Sequence, residues 1–221
     1  MLYKTKSLYK KKKDSYYSVY REGMKEYLPE AYSNVLEIGC GDGSFSKVLN
    51  KGCVVWGIEP HISSAEIAKS NMDQVLVGTY EDVFEKIPNE YFDLVICNDV
   101  IEHMKNHEWF FSSIKCKMKK ESFLVASIPN VRHCHNLFNL LVKKDWKYLD
   151  SGLLDRTHLR FFTEKSIKET AKKYSFKINK FKGINKTKFP MSIFCWILNI
   201  ITIGYYWDIH YLQFAMTLQK R

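Results

Sequence analysis

Several things are missing from this sequence. Its 221 residues include six cysteines but no CxxC pair, so the spacing of a zinc ribbon or a dithiol motif is absent. There is no internal repeat and no low-complexity linker. This leaves one ordinary globular domain with room for an elaboration. Where a secretory signal would be apolar, the chain places Lys4, Lys6 and Lys10 to Lys13. Cys40, Cys53, Cys97, Cys116, Cys134 and Cys195 are scattered, several of them inside apolar runs as buried free thiols are. Together these lead to the expectation of a reducing, cytoplasmic setting. No apolar run reaches the roughly 20 residues that cross a bilayer. The longest uninterrupted one, 193–203, carries Asn199. Acids are also in deficit, 24 against 34 lysines and arginines, for a net charge of +10. Yet the aromatic platform of an RNA-binding module is not found, so nucleic acid is not the expected partner. The basic blocks at 3–13 and 165–188 read as solvated surface, or as an attraction to an anionic substrate, nucleic acid or membrane surface.

The chain does have apolar mass: 46% of its residues are hydrophobic and 15% aromatic, enough for a sizeable core. Three of its ten glycines, Gly39, Gly41 and Gly43, alternate in "NVLEIGCGDGSFSKVL" between a strand-like run and a helix-like one. Glycine there permits positive φ and lets a ligand approach the main chain closely. A following helix start adds unpaired N–H groups. Such a turn suits a nucleotide cofactor.

From residue 35 to 128 strand and helix patterns alternate. Strands are expected at 34–38, 53–59, 74–78, 91–99 and 121–129, and helices after Gly43 and at 63–70 and 108–118. A short polar connection is expected to follow the third strand. This alternation predicts a parallel sheet covered by helices on both faces, with ligands at the carboxyl ends of its strands. From 130 to 162 the regularity breaks, with a helix near 136–142. An insertion after the fifth strand would overhang the ligand edge, making 130–162 a candidate substrate cover. A helix at 163–174 and strands at 176–182 and 210–220 complete the pattern. The apolar segment 189–207 reads as a buried helix or lid, with peripheral membrane contact or a protein interface as the alternative.

A glycine turn alone would also suit a nicotinamide dehydrogenase, with Glu59 on the ribose in either case. The spacing here is GxGxG rather than GxGxxG, and 221 residues leave little room for a separate substrate domain. The ordered set "VLEIGCGDG", "WGIEP", "VGTYED" and "FDLVICNDVIEHM" resembles the class I S-adenosylmethionine-dependent methyltransferases, over roughly residues 16–181. Within them, "IPNVRH" followed by "LDRTHLRFFTEKSI" resembles a bacterial subgroup associated with saccharide and surface-glycan biosynthesis. The resemblance implies an α/β, Rossmann-like doubly wound fold: a mostly parallel seven-stranded sheet with an antiparallel last strand and a helical substrate-cover insertion. One methyltransferase domain would span 1–221, with 1–30 folding over the cofactor.

The same resemblance assigns residues. Glu37, Gly39, Cys40 and Gly41 would shape the turn around the methionyl part and ribose of S-adenosylmethionine, which leaves as S-adenosylhomocysteine. Glu59, followed by Pro60, would accept both ribose hydroxyls. Thr79, Tyr80 and Glu81 fall where adenine is recognised, with Glu81 taking the exocyclic amine. Asn98, Asp99 and Val100 would lie near the amino group and sulfonium. Tyr17 would line the pocket, and Arg21 would pair with the cofactor carboxylate.

Methyl transfer to an alcohol benefits from a base that takes the hydroxyl proton. The candidates are His133 and His158, with Asp155 as orienter or alternative base and His103 as a further candidate. Arg132, Arg156 and Arg160 would hold an anionic acceptor, although a structural salt-bridge knot is an equal reading of "LDRTHLR". "HCH" at 133–135 lacks further ligands, so no metal is expected. "DPPY"-type and Pro-Cys motifs are absent, which disfavours DNA methylation. The preferred expectation is an O-methyltransferase acting on a saccharide, a nucleotide-linked sugar or a related glycan precursor. RNA and quinone or lipid precursors are the alternatives.

Overall fold

The computed structural model describes residues 21–221, so Tyr17 and most of the expected cofactor-covering segment lie outside the described residues. A short 3-10 helix, Glu22–Tyr27, buries Met24 and Tyr27 against the sheet. Then come β1 (Asn34–Ile38), a 3-10 helix (Ser44–Val48), β2 (Val54–Glu59), α1 (Ile62–Ala68) and β3 (Gln74–Val77). They are followed by α2 (Tyr80–Val83), β4 (Phe92–Asn98), α3 (His107–Lys117) and β5 (Met118–Pro129). The remainder is α4 (Cys134–Leu141), α5 (Glu164–Lys173), β6 (Phe176–Lys186), α6 (Met191–Ile201) and β7 (Tyr211–Lys220).

The seven strands form one sheet in the order β3-β2-β1-β4-β5-β7-β6. β1 to β5 pair in parallel, and β7 inserts antiparallel to both β5 and β6. This is the expected mostly parallel sheet with an antiparallel last strand. Both faces are buried, which is why the central strands read as continuous apolar runs rather than alternating ones. Leu36, Ile38, Val95 and Cys97 face one core; Val35, Leu94, Ile96 and Val125 face the other. Chain order reverses between β1 and β4, so a crevice opens at their carboxyl ends.

Local outcomes differ from the sequence pattern in three places. The segment after Gly43 is a five-residue 3-10 helix rather than a longer α-helix, its turn tightened by Ser46 N donating to the Gly43 carbonyl. The expected polar connection after β3 contains α2, whose Tyr80 and Val83 are buried; Thr79 caps it, accepting from Asp82 N. The apolar segment does form a helix, but most of α6 is not buried. It rests on α4 through a small cluster of Cys134, Cys195 and Ile209, while Ile193, Phe194, Trp196, Ile197, Ile200 and Ile201 stay exposed. Asn199 fits inside the run because its amide donates to the Cys195 and Tyr206 carbonyls, tying the helix to the turn that ends it.

Candidate active site

The crevice is a cavity of about 1690 Å³ bounded by the carboxyl ends of β1, β2 and β4 and by the segment 152–159. That exceeds the roughly 300–1,000 Å³ of an ordinary small-molecule site, leaving room for two ligands side by side.

Its floor is the glycine turn. Gly39, Gly41 and Gly43 all adopt positive φ, at 70°, 56° and 76°. A Cβ at Gly39 would stand 2.5 Å from Val100 Cγ2. Gly39 N and Cys40 N both donate to the Ile58 carbonyl, so the turn is clamped across β2. Glu59, buried at the end of β2, holds the other side: Oε2 accepts from Gly41 N at 2.9 Å and Oε1 from His61 N at 2.7 Å. Burial pushes its carboxyl up, and those two donors pull it back. Each oxygen retains acceptor capacity for a further donor.

Glu37, on β1, is buried, and its Oε2 has no hydrogen-bond partner among the described residues. Burial raises its carboxyl to about 8, against the pull of Arg21. Asn98, at the end of β4, is buried, and neither of its amide atoms has a hydrogen-bond partner among the described residues. Asp99 follows in left-handed backbone (φ 55°), a region that aspartate enters more readily than most non-glycine residues. Its carboxylate meets Arg21 Nη2 at 3.0 Å and accepts from Ser127 Oγ and Gln213 Nε2. Arg21 thus reaches the expected end of the cavity but pairs there with Asp99.

Pro60, Thr79, Tyr80, Glu81 and Val100 also border the cavity. Tyr80 is buried among Phe84, Trp109 and Phe110, its hydroxyl at 3.0 Å from Ser113 Oγ, so any contact it makes with a ligand comes from the edge of a packed ring. Trp109 was not singled out from the sequence. Asn106 caps α3 by accepting from Trp109 N, and Trp109 borders the cavity with its ring centroid 5.5 Å from that of Tyr80. An N-cap asparagine three residues before a tryptophan was the available signal.

The proposed bases separate into two groups. His103, Asp155 and His158 line the cavity; His133 does not. His133 Nε2 lies 2.9 Å from Thr187 Oγ1, which itself donates to the His210 carbonyl, so the imidazole clasps the base of the α6 excursion. Burial, with His135 and His210 nearby, lowers it to about 4. The reason is local: His133 immediately precedes α4 and turns toward β6 and β7, away from the crevice. The three arginines are outside the lining too. Arg132 forks onto Asp208, exposed Arg156 pairs with Asp150, and Arg160 donates to the Lys105 and Leu159 carbonyls. For these the salt-bridge knot describes the geometry better than a substrate clamp.

Glu102, next to His103, also borders the cavity, buried, with neither carboxylate oxygen hydrogen-bonded among the described residues. The cover segment is stapled to it, because Leu159 N and Arg160 N both donate to the Glu102 carbonyl.

Residues 12–180 match the family model described as a methyltransferase domain. The chain belongs to that family. This methyltransferase-domain protein is 30% identical over 112 residues to a pavine N-methyltransferase of Thalictrum flavum subsp. glaucum, a match covering 48% of this chain and 30% of that protein. It is 25% identical over 156 residues to a ubiquinone biosynthesis O-methyltransferase of Rickettsia typhi, covering 68% and 62%. The chain therefore spans less than two thirds of the length of either relative. A SAM dependent methyltransferase from Archaeoglobus fulgidus shares the fold, with a TM-score of 0.68 at 18% identity over 94% of this chain and 97% of that one.

S-adenosylmethionine, the cofactor expected from the sequence motifs, suits the residues present. The glycine turn is a cradle that a Cβ would fill, and the Glu37 and Asn98 side chains hold buried polar atoms waiting for donors or acceptors. Glu59 offers a carboxylate already oriented by two backbone donors.

Proposed function

We propose that this protein is an S-adenosylmethionine-dependent O-methyltransferase whose acceptor is presented from a lipid surface, a quinone- or lipid-precursor hydroxyl. The cofactor supplies an already activated methyl group, so much of the acceleration comes from alignment. Glu59 would hold the ribose diol, and Glu37 and Asn98 the methionyl end. At the opposite wall the acid–imidazole cluster of Glu102, His103, Asp155 and His158 would receive the acceptor hydroxyl.

The observation that carries the acceptor class is α6. β6 runs in the same direction as β5, so its end at Lys186 and the start of β7 at Tyr211 lie at the sheet edge where the cavity opens. Between them the chain makes an excursion pinched by Thr187 N donating to the His210 carbonyl. Its outward face is apolar, with Phe189, Trp196, Ile203 and Tyr205 all more than 60% exposed. Lys182, Lys186 and Lys188 flank it, and its one acid, Asp208, is paired with Arg132. An apolar helix with basic flanks lies in a membrane interface, drawn by anionic headgroups. No helix among the described residues is long and apolar enough to cross a membrane, so contact would be peripheral. The names of the ubiquinone-pathway relatives agree with this choice. The test is transfer of a labelled methyl group from S-adenosylmethionine to catechol-type acceptors, free in water or carried in anionic vesicles. Turnover enhanced by vesicles is expected; equal turnover without them would remove the lipid-surface reading.

A saccharide acceptor is the second reading, favoured by the polar lining near Asp155 and His158, which suits a polyol. It predicts methylation of nucleotide-linked or free sugars with no vesicle effect.

A further inference from the structure

Three Lewis bases converge where the 3-10 turn after β4 meets the cover segment. The ligand atoms of Glu102, His103 and His158 all lie within 4.8 Å of one another. His103 Nδ1 is 3.1 Å from the Thr157 carbonyl, and His158 Nδ1 is 2.9 Å from the Leu153 carbonyl. A carbonyl only accepts, so in each neutral ring Nδ1 carries the proton and Nε2 keeps the lone pair. Main-chain carbonyls commonly fix metal-ligating histidines this way. His158 Nε2 stands 3.9 Å from Glu102 Oε1, too far for a hydrogen bond. Glu102 is 1% exposed, and neither oxygen has a hydrogen-bond partner among the described residues. Asp99 and Asp155 add negative potential around it, and Arg21 opposes them.

We infer that Glu102, His103 and His158 form a binding site for a divalent transition-metal cation, with the remaining coordination positions open to the cavity. Two imidazoles and one carboxylate are a donor set for zinc, manganese or ferrous ions rather than for calcium, which takes oxygen. Bond lengths of about 2.0–2.2 Å would draw the three ligand atoms to spacings of roughly 3.3 Å. The pair 133 and 135 is not this site: those rings stack at 5.4 Å and belong to no cluster of three ligands among the described residues. The cation deepens the proposed function by giving the acceptor oxygen a Lewis acid beside the cofactor cradle. It rests on that reading for its use only, not for its existence.

The experiment strips the full-length protein with a chelator and titrates it with Mn²⁺ followed by electron paramagnetic resonance and with Zn²⁺ by calorimetry, in the absence of cofactor and acceptor. One equivalent should bind. His103→Ala and His158→Ala should each weaken binding at least tenfold, and His135→Ala, exposed and outside the cluster, should leave it unchanged. Burial pushes the Glu102 carboxyl well up, so Glu102→Gln keeps the shape of the neutral side chain and removes only its ability to ionise onto a cation; it should weaken metal binding without loss of the thermal transition of the stripped protein. Failure of the wild type to bind either ion at millimolar concentration would overturn the inference. So would equal affinity across folded wild-type, His158→Ala and Glu102→Gln proteins. Either result leaves cofactor binding and methyl transfer open to their own assays.

Discussion

Exchanging Glu59 for glutamine tests the cofactor cradle most directly. The carboxylate receives Gly41 N and His61 N, one on each oxygen, and is buried at the end of β2. Alanine would leave both N–H groups unpaired, at about 1–3 kcal/mol each, and confuse folding with binding. Glutamine keeps the volume and one acceptor, so the turn survives in part. A hydrogen bond to a charged group contributes about 1.5–3 kcal/mol. Removing one ribose hydroxyl from the ligand should therefore weaken binding to the wild type by roughly 10- to 150-fold, at about 1.4 kcal/mol per decade. Calorimetry with S-adenosylhomocysteine and its 2′-deoxy analogue, on wild type and Glu59→Gln, closes a double-mutant cycle. The variant should bind the parent ligand about 10- to 100-fold more weakly and discriminate between the two ligands only a few-fold. A full deoxy penalty retained by a folded Glu59→Gln protein would refute the ribose assignment.

Three further outcomes are expected. Glu37 is raised to about 8 in the folded state against an ordinary 4.5, so folding takes up its proton between those values. The stability it contributes is complete below pH 4.5, declines by at most about 1.4 kcal/mol per pH unit up to about 8, and is flat above; urea melts of Glu37→Gln should lack that decline, and parallel profiles would refute it. Gly39→Ala places a Cβ 2.5 Å from Val100 Cγ2 at a φ of 70° and should cost about 1–3 kcal/mol in denaturant melts, with Val100→Ala restoring only part, since the φ strain remains. Trp196→Glu with Ile200→Glu, both on the exposed face of α6, should abolish flotation with anionic vesicles while shifting the melting temperature little; retained flotation would remove α6 as the contact.

Local sequence went far in this protein where the physics is local. Alternating β-branched runs and helical stripes specify a parallel sheet, because a strand buried on both faces can only be apolar throughout. GxGxG marks the turn because only glycine tolerates three positive φ angles in five residues. Glu59 could be picked out because it closes the second strand about 20 positions after the glycine turn, where the family resemblance places a ribose-binding acid. The second half of the site was less legible. Nothing in "HCH" says that His133 faces Thr187 while His158, 25 positions later, faces Glu102; that depends on the cover segment being stapled to the Glu102 carbonyl. The arginines of "LDRTHLR" read equally as a substrate clamp or a salt-bridge knot in one dimension, and only folding shows Asp150 and the Lys105 carbonyl taking them. The fate of α6 was also undecided in the sequence. An apolar stretch is buried only if some other surface reaches it, and here just one thin cluster does. The sequence by itself thus determined the sheet and the glycine cradle through backbone sterics and periodicity, and marked the acid beside it through the family resemblance. Tertiary contacts alone decided which histidines meet, which arginines are spent and which apolar face is left outward, because those depend on segments far apart in the chain.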